Sequence, residues 1–148
     1  MKKIIHALIL TVILTSSVWA QAETIDLNPE QMRKEVILYQ LEVTQHTMNE
    51  LQMIFDQFND TFIDYQPAID RVSILINNYQ KVMHRLPIPI PEDGEKLDDL
   101  VNKLLSRMER YYMYCKQTGR QHPYLNFQIH QAMFEVLQER ERLVFKYM

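Results

Sequence analysis

Only two glycines, Gly94 and Gly119, stand in 148 residues, beside six prolines, one cysteine and one tryptophan. So few glycines leave no glycine-rich phosphate loop and too few turn signals for an all-β fold, which needs one about every 8 to 12 residues. The single cysteine, Cys115, excludes an intramolecular disulfide and any Cys-x-x-Cys-His attachment of haem. Stability therefore has to come from packing. Basic residues are also in short supply, with 16 Lys and Arg against 19 Asp and Glu and a net charge of −3. From Glu35 to Asp70 there are seven acids and no Lys or Arg at all. Nucleic acid is a poor partner for such a chain.

One apolar run breaks the pattern. Lys2 and Lys3 precede Ile4 to Leu14, and Thr15, Ser16 and Ser17 lead to small-residue cleavage sites after Ala20 or Ala22. This reads as a secretory signal peptide over 1–22, with the second site favoured because alanine fills both specificity positions. The run is too short for the roughly 20 residues that a membrane span needs. The mature chain then begins at Glu23 as a single helical domain in the periplasm or outside the cell, with no stable membrane insertion. Without Lys2 and Lys3 it carries 14 bases against 19 acids, a net charge of −5.

The dominant pattern is a heptad seam. Ile37, Leu41, Thr44, Met48, Leu51, Phe55 and Phe58 recur three and four apart, and the same phase continues through Phe62, Tyr65, Ile69, Val72, Ile76, Tyr79, Met83 and Leu86. A 3.5-residue repeat keeps one stripe of a helix against a partner, so the class is all-α. Asn28, Pro29 and Glu30 form a helix start, whereas Pro67 lacks the amide a helix interior requires. Two architectures satisfy these signals. An up-down-up-down four-helix bundle has helices near 29–58, 67–86, 94–117 and 123–147. The alternative is one long kinked helix over 29–86 packed by two shorter ones, and it gains from a homodimer that covers the exposed stripe. The bundle is preferred. Pro87, Pro89 and Pro91 make the link after the second helix, and Gly119 and Pro123 separate the third from the fourth.

Several residue sets were weighed for chemistry. Asp56, Asp60 and Asp64 form an i, i+4, i+8 carboxylate ladder, which reads as a solvated face and not as a calcium site. Their complement is the basic end of the third helix, whose Arg107, Arg110, Lys116 and Arg120 are expected to pair with Asp60, Asp64 and Asp70. Cys115 continues the stripe of Leu97, Val101, Leu104, Met108 and Tyr111, as a buried thiol does. His130, between Phe127, Met133, Phe134 and Leu137 at helical spacing, is expected in apolar surroundings. The inward face of the last helix is expected to hold Leu125, Ile129, Met133, Val136, Leu137, Leu143, Val144 and Tyr147. Tyr111, Tyr112, Met113, Tyr114 and Cys115 are consecutive and circle the helix, so part of this cluster is expected on the surface. With Arg107, Arg110 and Lys116 alongside, it makes Arg107, Arg110, Tyr111, Tyr112, Tyr114 and Lys116 the candidate partner-binding set.

Two family resemblances bear on function. A methionine early in the first helix, Met32, resembles the soluble periplasmic b-type cytochromes, but the last turns, Arg142 to Tyr147, have no histidine where that family carries its second haem ligand. Leu27, Asn28, Pro29, Glu30 and Gln31 resemble the Leu-Thr-x-x-Gln signature of the CpxP/Spy periplasmic stress proteins, with asparagine for threonine and no second copy. That resemblance implies a helical, enzymatically inert protein that binds unfolded clients or a sensor. The residues point to a non-enzymatic exported protein that binds another protein or peptide, with neither catalytic nor metal-binding residues and no cofactor. A small haem or copper carrier using His130 with methionine ligands is the alternative.

Overall fold

A computed structural model describes residues 28–60 and 63–148, so the expected signal peptide and its cleavage sites lie outside the described residues, as does Phe62 of the seam. Four α-helices follow one another: α1 (Pro29–Asn59), α2 (Tyr65–Met83), α3 (Glu92–Thr118) and α4 (Pro123–Tyr147). They form an all-α four-helix bundle. Among the described residues no helix is long and apolar enough to cross a membrane.

Local signals account for the helix boundaries. Asn28 Oδ1 accepts from the Glu30 amide at 3.1 Å and so caps α1. Pro67 is the third residue of α2, inside the first turn, where its missing amide has no partner to lose. α2 therefore opens two residues before the prolines-only reading put it, and it ends at Met83, three short of the expected Leu86. Glu92, Asp93 and Glu95 all sit in the first turn of α3, near the positive end of its dipole. Gly119 closes α3 in the left-handed region at φ 64°, its amide on the Cys115 carbonyl.

Direction follows from the cross-helix contacts of residues 33–148, which form one compact unit. Tyr79 to Asp98, Ser73 to Glu109 and Gln66 to Lys116 make α2 and α3 antiparallel. Lys96 to Glu139 and Asp93 to Lys146 do the same for α3 and α4. Asn59 to Asn126, with Phe55 against His130, reverses α4 relative to α1. Gln40 to Gly94 and Phe58 to Tyr112 run in the same sense, so α1 and α3 are parallel. Up-down-up-down topology results, and the long kinked helix is excluded: Arg71 of α2 folds back to donate to Gln57 of α1 at 2.5 Å.

All seven seam residues of α1, from Ile37 to Phe58, are buried. In α2 the seam is kept less strictly, with Val72, Tyr79 and Met83 buried and Tyr65, Ile69 and Ile76 half-buried. The core is closed by α3, whose Leu97, Val101, Leu104, Leu105, Met108, Tyr111, Tyr112 and Cys115 are all at most 1% exposed. Gly94 marks a close approach between α1 and α3. A Cβ there would collide with the Gln40 side chain and lie 2.7 Å from Ile37 Cδ1. Its carbonyl accepts from Gln40 Nε2 at 2.9 Å, which satisfies one polar atom of a fully buried amide.

Candidate functional site

The tyrosine cluster divides, and this corrects the sequence reading. Tyr111 and Tyr112 are 1% and 0% exposed, so they belong to the core and are withdrawn from the partner surface. Both pack edge-on against Phe58 of α1, with ring centroids 6.0 and 4.8 Å away. Burial pushes the Tyr111 hydroxyl up to about 12, and burial followed by the neighbouring Tyr111 raises Tyr112 still further. Burial likewise raises the Cys115 thiol, which leaves it protonated and inert near neutral pH. Residues 111 and 112 fall inside because they continue the α3 stripe of Val101, Leu104, Leu105 and Met108 by one turn. Only Met113 is exposed and Tyr114 half-buried, its ring 5.4 Å from His122.

The basic members of the set do reach solvent. Arg107, Arg110 and Lys116 are exposed. Arg107 and Arg110 line a groove of about 190 Å³ between α3 and α4, with Tyr111, Leu125, Gln128 and Ile129. Lys116 crosses to α2, where it donates to Gln66, an amide and not a carboxylate. The expected ladder from Lys116 to the α2 acids is thus replaced at that point by a neutral contact. Asp70 instead accepts from Gln66 Nε2 within α2, at 2.7 Å. Two ion pairs, Lys96–Glu139 and Lys146–Asp93, join α3 to α4 at the opposite end of α3, and Arg142 supports Glu139 from within α4. Lys96 and Arg142 hold Glu139 at 2.8 and 2.6 Å, and Lys146 holds Asp93 at 2.8 Å. Glu139 is a carboxylate only 4% exposed; burial pushes its pKa up, but donation from Arg142 and Lys96 more than reverses this and holds it below its ordinary value.

His130 is exposed, a second correction, because it sits at the rim of α4 and rests its ring edge-on against Phe55 at 4.9 Å between centroids. Met133, its expected soft-ligand companion, is buried. The two side chains therefore lie on opposite sides of the core boundary. Among the described residues no three His, Cys, Asp or Glu side chains gather to hold a metal ion.

The surface that sequence reasoning missed is the outward face of α4. Tyr124, Phe127, Phe134, Phe145 and Met148 are 62%, 63%, 59%, 94% and 87% exposed. Leu137, expected inside, is 44% exposed and joins them. The inward face is instead Ile129, Ala132, Met133, Val136, Glu139 and Leu143, with Leu125, Val144 and Tyr147 half-buried. A helix with apolar residues on every side needs cover on every side, and that signal was present in the sequence of residues 123–148. Single exposed apolar residues need no explanation, but four exposed aromatics on one helix face, with polar residues between them, make a ridge that singles out this face as a candidate for interaction.

An all-α bundle with an aromatic ridge along its last helix is the class that the fold and this face define. Comparison of the chain with protein-family models, with curated proteins and with solved structures finds no match.

Proposed function

We propose that the mature chain is a non-enzymatic protein-binding module of the periplasm, acting as an adaptor or chaperone-like protein that covers apolar segments of other proteins with the outward face of α4. The exposed ridge from Tyr124 to Met148 carries this reading. Removing such aromatic surface from water is favourable by about 1.5–3 kcal/mol for each side chain fully covered, which is enough for a few anchors to hold a partner. Arg107 and Arg110, lining the groove beside Leu125 and Gln128, favour a segment whose flank carries carboxylates. Tyr111 and Tyr112 support the site from within by fixing α3 against α1.

The test is suppression of light scattering from the reduced insulin B chain by the chain from Glu23 to Met148. Phe127→Glu combined with Phe134→Glu is expected to abolish suppression while leaving the helical circular-dichroism signal unchanged. Equal suppression by the double variant would refute the assignment of this face.

A further inference from the structure

The outward ridge of α4 has a spacing of its own. Its exposed positions include 124, 127, 131, 134, 138, 141, 145 and 148, alternately three and four apart, a second heptad stripe facing away from the core, with His130, Leu137, Arg142 and Lys146 exposed beside it. Five of the eight are apolar and the polar three are Gln131, Gln138 and Glu141.

The outer positions of the seam also read alike from either end. About a centre at residue 136, Tyr124 mirrors Met148 and Phe127 mirrors Phe145. Nearer the centre, Phe134 mirrors Gln138 and Gln131 mirrors Glu141. A twofold interface must be complementary to itself, so apolar ends that map onto each other suit an antiparallel pair of identical helices, with Phe134 set against Gln138 nearer the centre. In that register aromatic meets apolar at both ends, and Glu141 of one copy faces the Gln131 amide of the other, a donor for its carboxylate. The two Phe134 positions flank the twofold axis, offset by about 6 Å along the helix direction at 1.5 Å per residue.

Area agrees with this. Taking roughly 200 Å² for each side chain, the exposed fractions of the five apolar seam residues leave at most about 700 Å² per copy, near what a standard interface buries on each partner.

We infer that the occupant of this face is a second copy of the chain, docked antiparallel through α4 across a twofold axis at residue 136. This rests on reading the outward face of α4 as the docking face, and it names the partner.

Sedimentation of the mature chain and cysteine cross-linking test it. The wild-type chain is expected to be a dimer at high micromolar concentration. Phe134→Glu, which places two carboxylates beside the axis, should weaken the dimer at least hundredfold with helicity retained. Phe127→Glu, farther from the axis, serves as the second probe. Cys115 is buried and stays in place. Gln138→Cys brings two thiols within about 6 Å of each other along the helix direction and Gln131→Cys leaves them about 15 Å apart, so a short bis-maleimide should link the first at least tenfold faster. A monomer at all concentrations, a dimer indifferent to Phe134→Glu, or equal linking at both positions overturns the inference. A monomer whose insulin suppression still falls with Phe134→Glu removes the self-pair alone and keeps the binding face. Suppression and mass both indifferent to Phe134→Glu remove the two together.

Discussion

α3 and α4 are antiparallel neighbours of similar length, 27 and 25 residues, yet they dispose of their apolar residues in opposite ways. In α3 the large side chains occupy one arc, and all but Met113 end buried or half-buried. In α4 they encircle the helix, so Ile129, Met133, Val136 and Leu143 enter the core while Phe127, Phe134 and Phe145 face water. A bundle covers one face of each helix, and a helix with two apolar faces keeps one for something else. α3 is thus finished by its own chain, whereas α4 keeps an apolar face that its own chain does not cover.

The contrast breaks most visibly when equal truncations are made in the two helices. Leu104→Ala in α3 is expected to cost about 2–5 kcal/mol in denaturant unfolding, because Leu104 is fully buried and leaves a cavity. Phe134→Ala on the ridge of α4 should cost no more than about 0.5 kcal/mol in the dilute chain while weakening association. Similar losses for the two would mean that α4 is packed on both sides.

Gly94→Ala sharpens the account of the α1–α3 contact. Alanine improves helix propensity by about 1 kcal/mol, but its methyl meets Gln40 and Ile37, so a net loss of about 1–2 kcal/mol is expected by thermal unfolding. A gain would show that α1 yields there.

Between α3 and α4, Glu139→Gln is expected to cost about 1–2 kcal/mol at neutral pH, less than a fully buried pair, since Lys96 and Arg142 are 67% and 48% exposed and return to water. The sign with pH follows from a lowered carboxyl value. Its contribution is complete above the ordinary value of 4.5 and fades as pH falls through the lower folded-state value. Wild type should therefore lose stability faster than the glutamine variant between pH 4.5 and the acid end. Parallel pH curves would remove Glu139 from the account.

The smallest effect belongs to Tyr112→Phe. The Tyr112 hydroxyl is buried without a hydrogen-bond partner, so its removal is expected to be neutral or to stabilise by about 1 kcal/mol. A loss larger than that would reveal a partner for the hydroxyl.

Much of this architecture was legible beforehand. Asn28, Pro29, Gly119 and Pro123 mark helix ends through backbone chemistry that acts within a few residues, and they marked them correctly. The α1 seam held at every position because a 3.5 repeat has one buried side. The heptad phase through Pro67 favoured the long kinked helix and not the preferred bundle, because it passes unbroken across a reversal of the chain. The partner surface was the least legible. Tyr111 and Tyr112 carry the polar handle typical of interfaces and lie between arginines, but their angle around α3 puts them inside. Phe127, Phe134 and Phe145 carry no such handle, and they lie outside.

By itself the sequence determined the class and the punctuation: an all-α chain, helices opening and closing at particular residues, and a seam that needed a partner. Those follow from near-neighbour sterics, from capping, and from the period of apolar residues along one strip. Only the tertiary structure decided which side of α4 would be covered, that Gly94 would meet Gln40, and that Glu139 would be held between Lys96 and Arg142. A helix with apolar residues all round offers several faces of similar hydrophobicity, and the choice among them is made by helices far away in sequence that compete for the same contact.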